Sequence, residues 1–308
     1  MYAIIVHGGA GTWKAQHQRA ALQGVRREVQ AGAKLPAQGH PALEAVTASV
    51  VSLEDNPLFN AGTGSALNLD GEAEMDASVM VGEGLRAGGV ACLTRVKNPV
   101  QRARKVMEET QHILLAGEGA FHFARAMGFA DHNPVTREQR AHWQKKCRAQ
   151  SNVKSKSRRI YKLKHHSGNV GGTVGAVALD ARGGFAAATS TGGLSLKLPG
   201  RIGDTSIPGA GNYAMPKGAA SVTGLGEVAM RYLITKSVCD WLAQGSTAQQ
   251  AVDVVLSLLK AEPHADTGII ALDSQGRIGV GHRSQSMPHA YFVSGKNKKI
   301  VARMQVRP

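Results

Sequence analysis

Chemistry that one residue could carry on its own is suggested at the dipeptide Gly172-Thr173. Thr173 opens an apolar, strand-like segment, Val174 to Leu179, directly after a lysine- and arginine-rich stretch, Arg140 to Gly172, that contains no acid. A buried strand whose first residue is meant to become a new N-terminus would look like this. A threonine hydroxyl is a weak nucleophile at its own pKa and needs a base beside it. Scission between Gly172 and Thr173 would free an α-amine, with a reference pKa of about 7.7–8.0, on the same residue as the hydroxyl. Nucleophile and base would then share one side of one residue.

Other groups could serve such a centre. Arg201 and Asp204 stand three apart in the loop Lys197-Leu198-Pro199-Gly200-Arg201-Ile202-Gly203-Asp204. They could form a surface ion pair with each other, worth little. Alternatively, a planar guanidinium and a carboxylate could hold the α-carboxylate and α-ammonium of a zwitterionic amino acid. Thr223-Gly224-Leu225-Gly226-Glu227 reads as a strand-to-helix turn whose N–H groups could stabilise an oxyanion. Leu58 to Gly64 is an irregular loop that turns several carbonyls inward, where they bond to other backbone or, as the alternative, to a hard cation. His7-Gly8-Gly9-Ala10-Gly11 lets backbone approach something closely, without phosphate-cradle spacing. The 12 histidines form no HExxH, and no GxSxG elbow is present.

The elements that must position these residues come in blocks. Tyr2 to Val6 reads as a buried strand, followed by amphipathic helices over Gln16 to Ala33 and Pro41 to Leu53; the second sets Leu43, Val46, Val50 and Leu53 on one face and is stopped by Pro57. Ser65 to Met80 reads as a hairpin around Leu69-Asp70-Gly71, Val90 to Arg95 as a strand, and Pro99 to Met127 as a long helical region. Val174–Leu179 and Phe185–Thr189 form a hairpin about the turn 180–184. Beyond it come a strand at Ala219 to Val222, helices over Glu227 to Leu242 and Thr247 to Ala261, and a second hairpin, Thr267 to Leu272 with Ile278 to Gly281. The basic tail leaves a last strand open. Sheet pairs alternating with helix pairs indicate an α+β class with layered sheets.

The 308 residues carry a formal net charge of +15, of which +9 lies between Asp131 and Gly172, where 11 Lys and Arg face 2 Asp and Glu. That segment has too few large apolar residues to offset its ordering entropy and is expected to be a mobile linker; a nucleic-acid arm is the sharper alternative, with only Trp143 and Tyr161 to stack on bases. Three widely spaced cysteines argue against a disulfide framework, so a reducing cytoplasm is expected. The opening MYAIIVHGG lacks the basic and long apolar regions of a signal peptide, and no stretch approaches a membrane span.

The ordered segments HGGAGTW, LEDNPLFNAGTGSALNLDGEAEMDASVM, NPVQRARKVMEETQHILLAGEGAFHFA, GTVGAVALDARGGFAAATSTGG, KLPGRIGDTSIPGAGNYA and TGLGEVAMR resemble the plant-type asparaginase and isoaspartyl peptidase branch of the N-terminal nucleophile hydrolases. The likeness covers everything except roughly residues 131–170. It implies a single domain over 1–308 with a four-layer αββα sandwich. It also implies autoproteolysis at Gly172-Thr173 into an α subunit (1–172, with 131–172 as its basic linker) and a β subunit (173–308), assembled as (αβ)₂. Carried over by motif, Thr173 is the nucleophile, Thr191 supports it, Asn60 helps position it, and Thr223 with Gly224 forms the oxyanion hole. Arg201 and Asp204 hold the aspartyl α-carboxylate and α-ammonium, and Gly226 lines the same pocket. Carbonyls of Leu53, Glu54, Asn56, Phe59, Ala61 and Thr63 would bind a structural sodium ion, with no cofactor for the chemistry. The implied substrate is asparagine or an isoaspartyl dipeptide, neither membrane nor nucleic acid being an expected partner. The runner-up readings are a glycosylasparaginase-like amidase and an inactive relic binding nucleic acid through the linker. Departures from the resemblance, at Leu225, in the basic linker and at 264–268, bear on substrate preference more than on reaction type.

Overall fold

Strand alternation sends successive side chains into different layers. In β1 (Ala3–His7), Ile4 and Val6 pack against the helices α1 (Ala15–Ala37) and α2 (Ala42–Asp55), while Ala3 and Ile5 face the other way, toward a second sheet. The computed structural model, which describes residues 1–151, 172–262, 266–295 and 299–306, repeats this division along every central strand. The larger sheet has the order β12-β11-β1-β5-β6-β2-β3-β4, with β2 Met75–Val81, β3 Ala87–Leu93, β4 Leu114–Ala116, β5 Val174–Leu179, β6 Phe185–Thr191, β11 His289–Val293 and β12 Val301–Arg303. It is antiparallel except between β3 and β4. The smaller sheet runs β10-β9-β8-β7, with β7 Asn212–Met215, β8 Gly218–Thr223, β9 Gly268–Asp273 and β10 Ile278–His282.

Three buried layers result. Outside the large sheet, α1, α2 and α3 (Pro99–Glu109) cover Ala176, Ala178, Ala186 and Ala188, small residues that let helices sit close. Between the sheets, Val177, Leu179, Phe185 and Ala187 meet Ala214, Ala219, Ile270 and Leu272. Outside the small sheet, Val238, Cys239 and Leu242 of α7 (Ile234–Ala243) and Val252 and Val255 of α8 (Ala248–Leu258) cover Val222, Ile269 and Ala271. The helix–sheet–sheet–helix sandwich expected from the sequence is thus present. The two hairpins echo each other as well. Asp180 binds its own turn through Arg182 N and Gly184 N and accepts from Ala42 N at the start of α2; Asp273 does the same with Gln275 N, Arg277 N and Ala248 N at the start of α8.

Several expected elements differ. The segment 65–74 is a loop rather than half a hairpin, because the Asn68 side chain accepts from Asp70 N and Glu72 N and closes a local turn; β2 pairs instead with β3. The helical region from Pro99 breaks after Glu109, where the Thr110 hydroxyl bonds back to Val106 O and accepts from His112 N, turning the chain out into β4 before α4 (Gly117–Ala126). Leu233, in the left-handed region at φ 45°, divides the helix expected over 227–242 into α6 (Gly226–Tyr232) and α7.

The largest correction concerns the expected linker. Arg137–Ser151 forms a helix, α5, whose first turn is capped by the Thr136 hydroxyl accepting from Gln139 N. It docks through polar contacts, with the Trp143 ring laid against Gly71: Gln139 donates to Gly64 O, Arg140 to Gly71 O and the Trp143 indole N–H to Asn68 O, at 2.7–2.9 Å. Carbonyls exposed by the 64–71 loop thus supply what low hydrophobicity could not. Residues 152–171 of the expected linker lie outside the described residues, as do His264 and Ala265 of the segment flagged at 264–268.

Candidate active site

Strand parity converges the threonines. In β5, Val177 and Leu179 point between the sheets, so Thr173, just ahead of the strand, shares their parity; Phe185 and Ala187 place Thr191 the same way in β6, and Ala219 places Thr223 in β8. All three are buried. Together with Asn60, Gly172, Gly193, Leu194, Arg201, Asp204, Gly224 and Gly226, Thr173 and Thr191 line a small cavity of about 70 Å³.

The scissile candidate is held by backbone contact. Gly9, at φ 102°, lies so close to Gly172 that a Cβ on it would stand 2.3 Å from Gly172 N and 2.7 Å from its carbonyl carbon. On its other side, a Cβ on Gly172 would stand 2.8 Å from Thr223 Oγ1, and that hydroxyl accepts from Ala10 N at 3.2 Å. The close approach anticipated for the glycine loop after β1 is therefore an approach to Gly172.

Asn60 acts on the turn beyond Thr191. Its Nδ2 donates to Gly193 O at 2.9 Å, its carbonyl accepts from Gly192 N, and its Oδ1 accepts from Ala66 N; Gly193 N in turn donates to Thr191 Oγ1 at 3.0 Å. The turn is thereby fixed against the wall of the cavity.

The loop carrying Arg201 and Asp204 is clamped from behind by residues 74–76. Lys197 Nζ donates to Glu74 O at 2.7 Å, Gly200 N to the Glu74 carboxylate at 3.1 Å, and Gly203 N to Asp76 Oδ2 at 3.2 Å, while Asp76 Oδ1 accepts from Cys92 N. Burial draws the Lys197 ammonium below its ordinary pKa. Arg201 and Asp204 do not bond to each other. The Arg201 guanidinium is gripped by Glu227, with Nε at 3.0 Å from Oε1 and Nη2 at 2.9 Å from both oxygens. Asp204 is buried and its Oδ2 has no hydrogen-bond partner. Burial, opposed by Arg201, raises its pKa to about 7. An acid in that condition is prepared for a cation.

His7 lies buried beside the head of β5. His7 faces Gly175 across the β1–β5 ladder, its Nε2 is 2.9 Å from Ser221 Oγ, and burial depresses its pKa to about 3. A ring so averse to a proton is a poor general base.

A family model described as asparaginase matches residues 1–302. The chain is 46% identical over 302 residues to a plant-type L-asparaginase of Pyrococcus abyssi, covering 97% of this chain and 98% of that one. It is 38% identical to an isoaspartyl peptidase/L-asparaginase of Danio rerio (95% and 93% covered) and 39% identical to one of Homo sapiens (95% and 94%). The chain belongs to the asparaginase family. Every residue expected for catalysis or substrate binding in such an asparaginase is brought to one place: Thr173, Thr191, Asn60, Gly224, Gly226, Arg201 and Asp204 around the cavity, with Thr223 beside Gly172.

Three further residues support the geometry around this cavity: Gly9, Asp76 and Glu227. Gly9 reads in the sequence as a loop glycine that permits a close approach to an unnamed partner, and Asp76 only as the polar member of an alternating strand. Glu227 was visible in TGLGE, but its partner lies 26 positions earlier in a loop. Among the described residues no group of three or more His, Cys, Asp or Glu side chains is placed to hold a metal. The loop 53–63 offers neutral carbonyls at the C-terminal, negative end of α2. It is tightly wound: a Cβ on Gly62 would stand 2.5 Å from Glu54 O, and one on Gly64 would stand 2.0 Å from Phe59 O. Phe59 O and Ala61 O accept from Ala61 N and Gly64 N, leaving each a second lone pair for a hard cation.

Proposed function

We propose that the chain is a self-activating amidohydrolase that releases L-aspartate from L-asparagine or from β-aspartyl dipeptides. The observation that carries this reading is Thr173 at the head of a central strand, in a cavity that also holds Arg201 and a buried Asp204 whose Oδ2 is unsatisfied. The family membership and the names of the relatives support the same reaction.

In the intact chain the Thr173 nitrogen is an amide and is not basic. Attack of Thr173 Oγ on the Gly172 carbonyl carbon moves the acyl group from nitrogen to oxygen. Water then cleaves that ester, leaving a Gly172 carboxylate and a free Thr173 amine. The mature residue 173 supplies hydroxyl and base together. Arg201 takes the substrate α-carboxylate and Asp204 its α-ammonium, which aims the side-chain amide at Oγ. As Oγ attacks, the amine accepts the hydroxyl proton, and the oxyanion is met by Thr223 Oγ and Gly224 N–H. The carbon–nitrogen bond breaks as the leaving amine takes that proton, and water hydrolyses the β-aspartyl ester to aspartate. Thr191 and Asn60 keep the wall behind the nucleophile in register.

A structural sodium ion held by carbonyls of Leu53, Glu54, Asn56, Phe59, Ala61 and Thr63 belongs to the same proposal; its chemistry would be confined to fixing the loop that carries Asn60. So do an (αβ)₂ assembly and a cytoplasmic location, the latter supported by the unpaired thiols of Cys92 and Cys239.

The test is direct. Purified protein should run as two fragments, the smaller beginning TVGAV, and release ammonia from asparagine; Thr173→Ala should stay intact and inactive. Ammonia release by Thr173→Ala would refute the reading.

A further inference from the structure

The proposed substrate clamp contains a hazard. Asp204 Oδ1 and Arg201 Nη2 both lie within 3 Å of the point where a Cβ on Gly226 would stand, so the two groups border the same small space. An ion pair between them would consume both halves of the clamp, masking the guanidinium from a carboxylate and the carboxylate from an ammonium. Burial favours that collapse, because an ionised Asp204 without a partner is costly. Yet the two do not pair, and the only carboxylate hydrogen-bonded to the guanidinium among the described residues is that of Glu227.

We propose that Glu227 is a positioning residue that holds the amino-acid clamp open by competing with Asp204 for Arg201; the proposal rests on the asparaginase reading above. Its geometry suits the task. Glu227 engages Nε and Nη2 of the guanidinium and makes no bond to Nη1, which it leaves for a substrate α-carboxylate. It stands in the first turn of α6, where helix polarity favours an acid. Its side chain is about half exposed, whereas that of Arg201 is mostly buried, so Glu227 reaches inward from the rim and leaves the cavity to the ligand. Gly226 and Gly203 complete the arrangement, since a Cβ on either would press on the guanidinium at 2.9 and 2.8 Å.

The experiment compares cleaved wild type, Glu227→Ala and Glu227→Gln. L-aspartate binding is measured by titration calorimetry, KM and kcat are measured with asparagine, and the ligand-free Glu227→Ala protein is crystallised. Loss of the competing carboxylate should move Arg201 to within hydrogen-bond distance of Asp204 in the crystal. Aspartate should then bind about tenfold more weakly, with the kinetic loss falling on KM rather than kcat. Glu227→Gln, whose amide oxygen still accepts from Nη2, should recover part of the affinity and controls for folding. Aspartate binding as tight as wild type or tighter in Glu227→Ala, an Arg201 that stays clear of Asp204, or a loss confined to kcat would overturn the proposal. Failure of the wild type to bind aspartate would overturn it too. Wild type that binds aspartate without releasing ammonia would instead sink the reaction while leaving the positioning role standing on the crystal and the calorimetry.

Discussion

Replacing Asp204 by asparagine should make the protein more stable and unable to hold its substrate. The carboxyl is buried, Oδ2 has no partner, and burial raises its pKa from an ordinary 3.8 to about 7 despite Arg201. The unfolded chain loses this proton near pH 3.8 and the folded chain only near 7. Between those values the folded state therefore binds more protons, and stability falls as pH rises. The effect is absent below the lower pKa and complete above the upper one. A little over three units at ~1.4 kcal/mol each gives a loss of roughly 4 kcal/mol at about pH 8.5, against roughly 1.5 kcal/mol at about pH 5. Asparagine matches the protonated acid in shape and cannot ionise, so Asp204→Asn should gain stability over wild type by those amounts. Urea unfolding at the two pH values, with both proteins in the same state of scission, measures the difference. Calorimetry should show L-aspartate binding lost in the variant. In wild type it should weaken by up to about tenfold per unit below pH 7, as the carboxylate takes up its proton. A stability gain that is the same at both pH values would refute the reasoning, as would a wild type more stable than the variant at the higher one.

Three further outcomes follow from the geometry. Gly9→Ala adds a Cβ that meets Gly172 backbone atoms at 2.3–2.7 Å and places an L side chain at φ 102°; fragment formation on a denaturing gel should slow at least about tenfold, since a shift of about 1 Å misaligns the attack. Thr223→Val keeps shape but removes the hydroxyl that accepts from Ala10 N; kcat for asparagine should fall by about 10²-fold or more if that hydroxyl also meets the oxyanion, and undiminished kcat would exclude it. Trp143→Ala removes the indole bond to Asn68 O; stability should drop by about 1 kcal/mol, and limited proteolysis should cut within 137–151 sooner than in wild type.

What the sequence yields and what it withholds divides along physical lines. Alternation in VGAVAL and the aspartate- and glycine-rich turns at 180–184 and 273–277 are local signals, and they report strands, faces and layers correctly, whereas Asn68 to Gly71 carries the same signal and closes only a loop. The chemistry proposed for Thr173 is also local, because hydroxyl and prospective amine belong to one residue. The break after Glu109 was hidden because it depends on a threonine hydroxyl competing with the helix ladder. Helix α5 was hidden because its anchors are carbonyls of the 64–71 loop, which no count of apolar residues reveals. Arg201 and Asp204 could be named but not oriented, since Glu227, which decides the orientation, arrives from a different element.

The strand order of the large sheet would have a consequence for the molecule after the proposed scission. β1, β2, β3 and β4 precede Gly172 and β5, β6, β11 and β12 follow it, yet β1 lies between β11 and β5, and β2 lies against β6. A cut ahead of β5 therefore separates the covalent chain without separating any layer: the fragments are interleaved like the fingers of two hands. Once parted by denaturant, they would have to find one another by diffusion before the central ladders could re-form. Folding, a unimolecular event for the intact chain, would become concentration-dependent for the cleaved one. The proposed activation would in that sense be a ratchet, since the same cut that frees the amine would leave the two halves of the sheet without a covalent link.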